Sequence, residues 1–180
     1  NDYINNGAPC GFSTTSSVPP NGYCEGSGEQ DLMAMIDSMN NDTVYEINYN
    51  YWEHEYLLMR SKQDSILNDS LPQLAAIADS LELTNLGLFD ELADSLENYQ
   101  LGTATTLTGL QNMNNGIQPE LLIESNYKSV NAVYMQCLQQ GINSLSNVQL
   151  NLLQQVAGQC PLSGGKAVFL AQHLLEVFTD

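Results

Sequence analysis

Apolar residues recur at helical spacing through most of this chain, and Gly, Pro and Asn clusters cut that pattern into short pieces. Leu32, Met35, Ile36 and Met39 follow the i, i+3, i+4, i+7 rule of an amphipathic helix. Asn40-Asn41-Asp42 interrupts it, and Thr43 with Glu46 forms a capping box for the next segment. Tyr45, Tyr49, Trp52, Tyr56 and Met59 keep helical spacing. Tyr45, Ile47, Tyr49 and Tyr51 also alternate as a strand would, but the alternation stops after Trp52 while the helical spacing continues to Ile66. Helix is therefore expected over 44–66.

Further along, Ala78-Asp79-Ser80-Leu81-Glu82 recurs as Ala93-Asp94-Ser95-Leu96-Glu97, with Asn85 and Gly87 between them. Two short helices joined by a turn at Asn85 and Gly87 explain the echo, and one long helix is the alternative. A weak helix is expected over 104–113. A longer one is expected from Pro119, a tolerated first-turn proline, to about Gln140, with Leu121, Leu122, Val130, Val133, Tyr134 and Leu138 inward. Gly141 ends it. Ser144 or Ser146 caps the next helix, which carries Val148, Leu152, Leu153 and Val156 and ends at Gly158. A final helix over 166–178 turns Val168, Phe169, Leu174, Leu175 and Val177 inward. The expected fold is all-α, an irregular bundle of about six to eight helices over 29–180.

Residues 1–28 break the pattern. They hold Gly7, Gly11, Gly22, Gly26 and Gly28 with Pro9, Pro19 and Pro20, and Pro-Pro before Asn-Gly is turn chemistry. An irregular arm or linker is expected there. The four cysteines, Cys10, Cys24, Cys137 and Cys160, form no CxxC. Two disulfides fit better than zinc or thioredoxin-type chemistry, and disulfides imply export. Of three pairings, Cys10–Cys24 would pin the arm, leaving Cys137–Cys160. The second pair is in tension with a tight hairpin, because a twelve-residue helix is about 18 Å long and a disulfide needs Cα atoms within about 7 Å. The chain begins with Asn and shows no signal peptide, as expected of a processed or excised chain.

Charge narrows the function classes. The chain has 21 Asp and Glu, 4 Lys and Arg, and a formal net charge of -17. So few cations cannot neutralise a phosphate backbone or an anionic membrane surface, so neither is an expected partner. The longest apolar runs are about four residues, too short for direct membrane insertion.

No catalytic constellation is expected, and no cofactor or metal. Glu53-His54-Glu55 offers metal-ligand types, but neighbours on a helix point apart. His173 and Glu176 stand i, i+3, once, in the reverse of the order used by di-iron bundles. Gly164-Gly165-Lys166 lacks both the spacing and the Ser or Thr of a phosphate loop. Asp90, Glu91 and Asp94 read as an exposed helix face, and there is no G-x-S-x-G elbow or EF-hand loop.

One pattern stands out. Asp, then Ser or Thr, then an apolar residue occurs six times, with Ser38, Thr43, Ser65, Ser70, Ser80 and Ser95 at the centre. The plain explanation places Asp and Ser at the polar edge of each helix beside an inward apolar residue. The triplet also resembles the O-glycosylation acceptor of proteins exported by Bacteroidetes-type bacteria. Asn41-Asp42-Thr43 and Asn68-Asp69-Ser70 match the N-glycosylation sequon of eukaryotic hosts as well.

The C-terminal part carries a second resemblance. Val130-Asn131-Ala132-Val133-Tyr134, Leu152-Leu153 with Val156-Ala157, and Cys160-Pro161-Leu162-Ser163-Gly164-Gly165-Lys166-Ala167-Val168-Phe169 stand in order. Together they resemble a helical segment of large secreted surface proteins of the same bacteria, marked by Cys-Pro-Leu-x-Gly-Gly-x-Ala-Val. In that family a Tyr and then Ala-Arg follow; here Phe169 and Ala171-Gln172 stand there. The resemblance covers about 45 of the 180 residues. It implies type IX secretion, an extracellular or cell-surface location, and a role as adhesin, stalk or filament-type assembly piece. The expected function is thus a non-enzymatic, secreted structural or assembly module with a protein partner or self-assembly. Tyr45, Tyr49, Trp52 and Tyr56 are the candidate contact residues, since aromatics dominate interface hot spots. A glycan or small-ligand pocket lined by Tyr49, Trp52 and Tyr56 is the alternative, and a metal-dependent enzyme the remaining one.

Overall fold

A computed structural model describes residues 36, 47–63, 65–100, 102 and 106–179. The expected arm over 1–28 lies outside them, as do Cys10, Cys24, Ser38, Thr43 and Tyr45. The described residues are helical with no strand, which settles the strand-or-helix ambiguity of the aromatic stretch in favour of helix. The elements are α1 (Ile47–Gln63), α2 (Ser65–Ser70), α3 (Pro72–Glu82), α4 (Asn85–Gln100), α5 (Leu107–Gly116), α6 (Leu122–Gln140), a 3-10 turn (Ile142–Ser144), α7 (Asn147–Ala157), α8 (Pro161–Gly164) and α9 (Ala167–Thr179). None is long and apolar enough to cross a membrane.

The chain forms two compact units, residues 1–81 and 82–180. In the first, Ile36, Leu57, Leu71 and Leu74 make a buried cluster, with Tyr56 and Ile77 packed against it.

The second unit is organised around α6. On one side Met135 of α6 joins Phe89, Leu92 and Leu96 of α4 with Leu110 and Ile117. On the other, Val130 and Val133 join Leu153 and Val156 of α7 with Ala167, Val168, Ala171 and Leu174 of α9. A helix with two apolar faces can do this only where both are covered, so α6 lies inside and α4, α5, α7 and α9 surround it.

Helix ends follow local chemistry. Thr106 caps α5, its Oγ1 accepting from the Gly109 N–H at 3.1 Å. Ser146 and Gln149 form a capping box on α7. Gly141, at φ 84°, ends α6 in a conformation that side chains resist. Two expected boundaries move. The break between α3 and α4 falls at Leu83-Thr84, and Asn85 and Gly87 lie inside α4. Gly87 is required there for a different reason. A Cβ would sit 2.4 Å from the Glu82 backbone, so glycine permits the close passage of the chain. Pro119 precedes α6, which begins at Leu122.

The start of α6 is set by Glu124. Its buried carboxylate oxygen accepts from the backbone N–H of Glu120 at 2.7 Å and of Leu121 at 3.3 Å. The same oxygen accepts from Asn85 Nδ2 at 2.9 Å, and Asn85 also donates to the Gln118 carbonyl. The carboxylate therefore satisfies the N–H groups that open the helix and anchors α4 to them. Because α6 starts there, Ile123 rather than Leu122 faces inward, and Leu122 is exposed.

Candidate functional site

The repeated triplets resolve into helix geometry. In α2, α3 and α4 they place Ser70 and Ser80 in solvent and Ser95 half-buried, while Leu71, Leu81 and Leu96 are buried. Asp69, Asp79 and Asp94 are exposed. The spacing thus reports the edge of an amphipathic helix. Asp64-Ser65-Ile66 departs from it, because Ile66 is 78 % exposed. Ser70 Oγ donates to the Ile66 carbonyl at 3.1 Å, and Ser80 Oγ to the Ile77 carbonyl at 2.7 Å.

The aromatic candidates are divided among environments. Tyr49 lies on α1, Trp52 is half-buried, and Tyr56 is half-buried against the first unit's core cluster. Tyr51, which was not among the contact candidates, is buried. Glu53 is buried while His54 and Glu55 are half-buried, so the Glu-His-Glu run fans around the helix. His173 and Glu176 are exposed on α9. Among the described residues no three His, Cys, Asp or Glu converge on a point that would hold a metal ion.

Cys137 carries a free thiol, which corrects the expected Cys137–Cys160 bridge. The geometry explains it. Asn126 Nδ2 donates to Gln159 Oε1 at 2.7 Å, so the residue next to Cys160 sits beside the first half of α6. Cys137 lies eleven residues further along the same helix, about 16 Å away and beyond disulfide reach. Burial pushes the Cys137 thiol above its ordinary value, partly opposed by a backbone hydrogen bond. Burial also raises Tyr134, one helical turn earlier, with a smaller contribution from the neighbouring Cys137.

The Cys-Pro-Leu-Ser-Gly-Gly segment is a folded unit. Cys160 precedes α8 with Pro161 in its first turn, and Gly165 turns out of it at φ 76°. A Cβ on Gly165 would meet Ile123 Cγ2 at 2.8 Å, and one on Gly164 would meet Val168 Cγ2 at 2.6 Å. Gly165 therefore lets the chain lie directly on α6, and Gly164 lets it pass closely by Val168 of α9. Buried Asn126 fixes it there, donating also to the Gly164 carbonyl at 3.0 Å.

A second feature was not anticipated. Between α5 and α6 lies an open cleft of about 250 Å³, lined by Gln111, Asn114, Asn115, Ala132, Met135, Gln136, Gln139 and Gln140. Its lining contains no charged side chain. Asn114 is 1 % exposed and donates from Nδ2 to the Lys128 carbonyl at 2.9 Å. Its Oδ1 is buried and has no donor among the described residues. A signal existed in the sequence: Asn114 stands four residues after core Leu110, an inward helical position that a polar residue occupies only with a partner.

No protein-family model, curated protein or solved structure matches the chain.

Proposed function

We propose that this chain is a non-enzymatic, exported module of a bacterial surface protein, O-glycosylated on Asp-Ser/Thr-apolar triplets and acting in structural assembly with a protein partner or further copies of itself. The observation that carries the reading is the exposure of Ser70 and Ser80, each beside an exposed Asp, on helices whose neighbouring leucine is buried. A sugar can be attached to either hydroxyl without disturbing the core. Ser65 and Ser95 belong to the same set, and Ser38 and Thr43 extend it in sequence. The Cys160–Phe169 resemblance supports secretion to the cell surface by the type IX route. With Cys137 free, Cys10, Cys24 and Cys160 can supply one bridge and no more.

Intact-mass measurement of the chain secreted by a Bacteroidetes-type host tests both points. Sugar-sized additions that map to Ser70 or Ser80 and shrink in S70A and S80A are the expected result, together with the loss of two hydrogens for a single bridge. A secreted chain with no added mass removes the glycosylation reading. A chain retained in the cytoplasm with all thiols free removes export.

A further inference from the structure

We propose that the second unit binds a further copy of this chain head to tail, the outward face of α4 on one copy seating on the α7–α9 side of the next. The proposal rests on the assembly reading above and names its partner. The starting point is the distribution of acids. In a chain with 21 Asp and Glu, residues 125–175 contain none, while Lys128 and Lys166 fall within them. That stretch builds α7, α8 and most of α6 and α9. Helix α4 is the opposite case, with Asp90, Glu91, Asp94 and Glu97 and no Lys or Arg.

The fold sets these two surfaces back to back. Met135 packs with α4, Val130 and Val133 pack with α7 and α9, and helical spacing puts Met135 on the opposite side of α6 from the two valines. The exposed positions of α7 are Asn147, Val148, Asn151, Gln154 and Gln155, all uncharged. Leu162 of α8 and Phe169 of α9 are exposed as well, and Lys166 precedes Phe169 by about one turn. His173 and Val177 follow Phe169 along the same outward stripe, and Glu176 is the one acid of α9. On α4, Leu88 is exposed about one turn before exposed Glu91.

Each surface carries what the other lacks. The α7–α9 side offers Phe169 and a cation without surrounding carboxylates, and α4 offers Leu88 among carboxylates. A chain of net charge -17 can settle on another copy only where acid does not meet acid. Two α4 faces would repel, and two α7–α9 sides would gain no attraction between charges. The pairing of one with the other is the complementary choice. Because the two surfaces lie on opposite sides of one unit, the contact is heterologous and does not close at two copies, so copies add in a row. One helix face is smaller than the roughly 800 Å² per partner of a stable complex, so a Kd of about 0.1–1 mM is expected.

The test is sedimentation equilibrium of the full, unglycosylated chain from about 0.02 to about 2 mM, in about 0.15 M sodium chloride to limit long-range repulsion. Sugar is left off because Ser95 lies on α4 among the acids. The weight-average mass is expected to climb past that of a dimer without a plateau. F169E, on α9, and E91K/E97K, on α4, are each expected to remain monomeric. The second outcome discriminates strongly, since those substitutions make the chain less negative and would ease any unspecific association. An equimolar mixture of the two variants is expected to form dimers and nothing larger, because each variant keeps one intact surface. Circular dichroism checks that both are folded, and F169S is the milder α9 variant. A wild-type chain that stays monomeric at about 2 mM, a plateau at dimer, or a mixture that stays monomeric overturns the proposal. So does self-association that is unchanged in both variants. Monomeric wild-type protein leaves assembly with a different protein standing, and the intact-mass measurement of glycosylation and export is independent of either result.

Discussion

Asn126, Gly164 and Gly165 show how single residues decide this structure. Asn126 is an amide on an inward helical position, and it is tolerated because both hydrogens of its NH2 find acceptors, Gln159 Oε1 and the Gly164 carbonyl. Asn126→Leu leaves both acceptors without that donor and is expected to cost about 2 kcal/mol in urea unfolding. Gly165→Ala combines a positive φ with a 2.8 Å contact to Ile123, and about 3 kcal/mol is expected. A change below about 0.5 kcal/mol in both variants would mean that the segment is not held on α6 as described. Cys137 gives a chemical test at the same scale. Its folded pKa is raised, so the protonated thiol is favoured by the fold, and the stability it contributes is lost as pH rises past the ordinary thiol range. The thiolate is the nucleophile. Alkylation of native protein by iodoacetamide at neutral pH should therefore be slower than alkylation of the urea-unfolded chain. Equal rates would contradict the placement of Cys137.

At the scale of the element, α6 is the member on which the second unit depends, and its first turn is its most exposed weakness. Glu124 gathers three donors on one oxygen, two from the approaching backbone and one from Asn85 of α4. Glu124→Ala removes all three and should cost about 2–3 kcal/mol, whereas Glu124→Gln keeps one acceptor and should cost about 1 kcal/mol. Chemical denaturation of the two variants checks the order, and equal stabilities would separate Glu124 from the helix start. Lys128 does related work at the C-terminal end of α5. Its Nζ donates to the carbonyls of Asn115 and Ile117, placing a cation where that helix leaves its carbonyls unpaired. The elements themselves were largely legible in the sequence, because Gly141, Ser146 and Gly158 are local signals that need no tertiary context. The faces were less so. Leu122, Val148, Phe169 and Val177 read as core by hydrophobicity, yet all are exposed. A helix start that shifts by one or two residues rotates the inward face by about 100° for each residue, and Glu124 sets that start through Asn85, 39 residues away. The cleft was illegible for a similar reason: Gln111 and Gln139 meet only after α5 and α6 are packed, and isolated glutamines carry no spacing that announces it.

For the whole molecule, the imbalance of charge is the property that no local contact relieves. Residues 82–180 hold nine acids and two lysines, and residues 1–81 hold twelve acids with Arg60 and Lys62. Both units are therefore net negative, and neither can neutralise itself through ion pairs. Folding concentrates that charge into a compact volume, so repulsion opposes the folded state more than the expanded one. At about 0.01 M salt the Debye length is about 30 Å and most acids of a unit see one another; at about 0.15 M it is about 8 Å and only neighbours do. Added salt should therefore stabilise this protein, opposite to the response of a fold held by surface salt bridges. The expected outcome is a rise in Tm of a few degrees between about 0.01 and 0.15 M sodium chloride, since about 1 kcal/mol moves the midpoint by about 4–8 °C for a unit of up to about 100 residues and by about 2–4 °C for a chain of this length. Chloride is a weak Hofmeister ion, so screening is the main effect in this range, and potassium chloride should act equally. The isolated 82–180 fragment, which carries the α6-centred core and fewer acids, should keep its helical circular dichroism and a cooperative transition, with a smaller salt response than the full chain. A Tm that falls with salt would show that specific ion pairs outweigh the net repulsion and would overturn this account of how so acidic a chain is held.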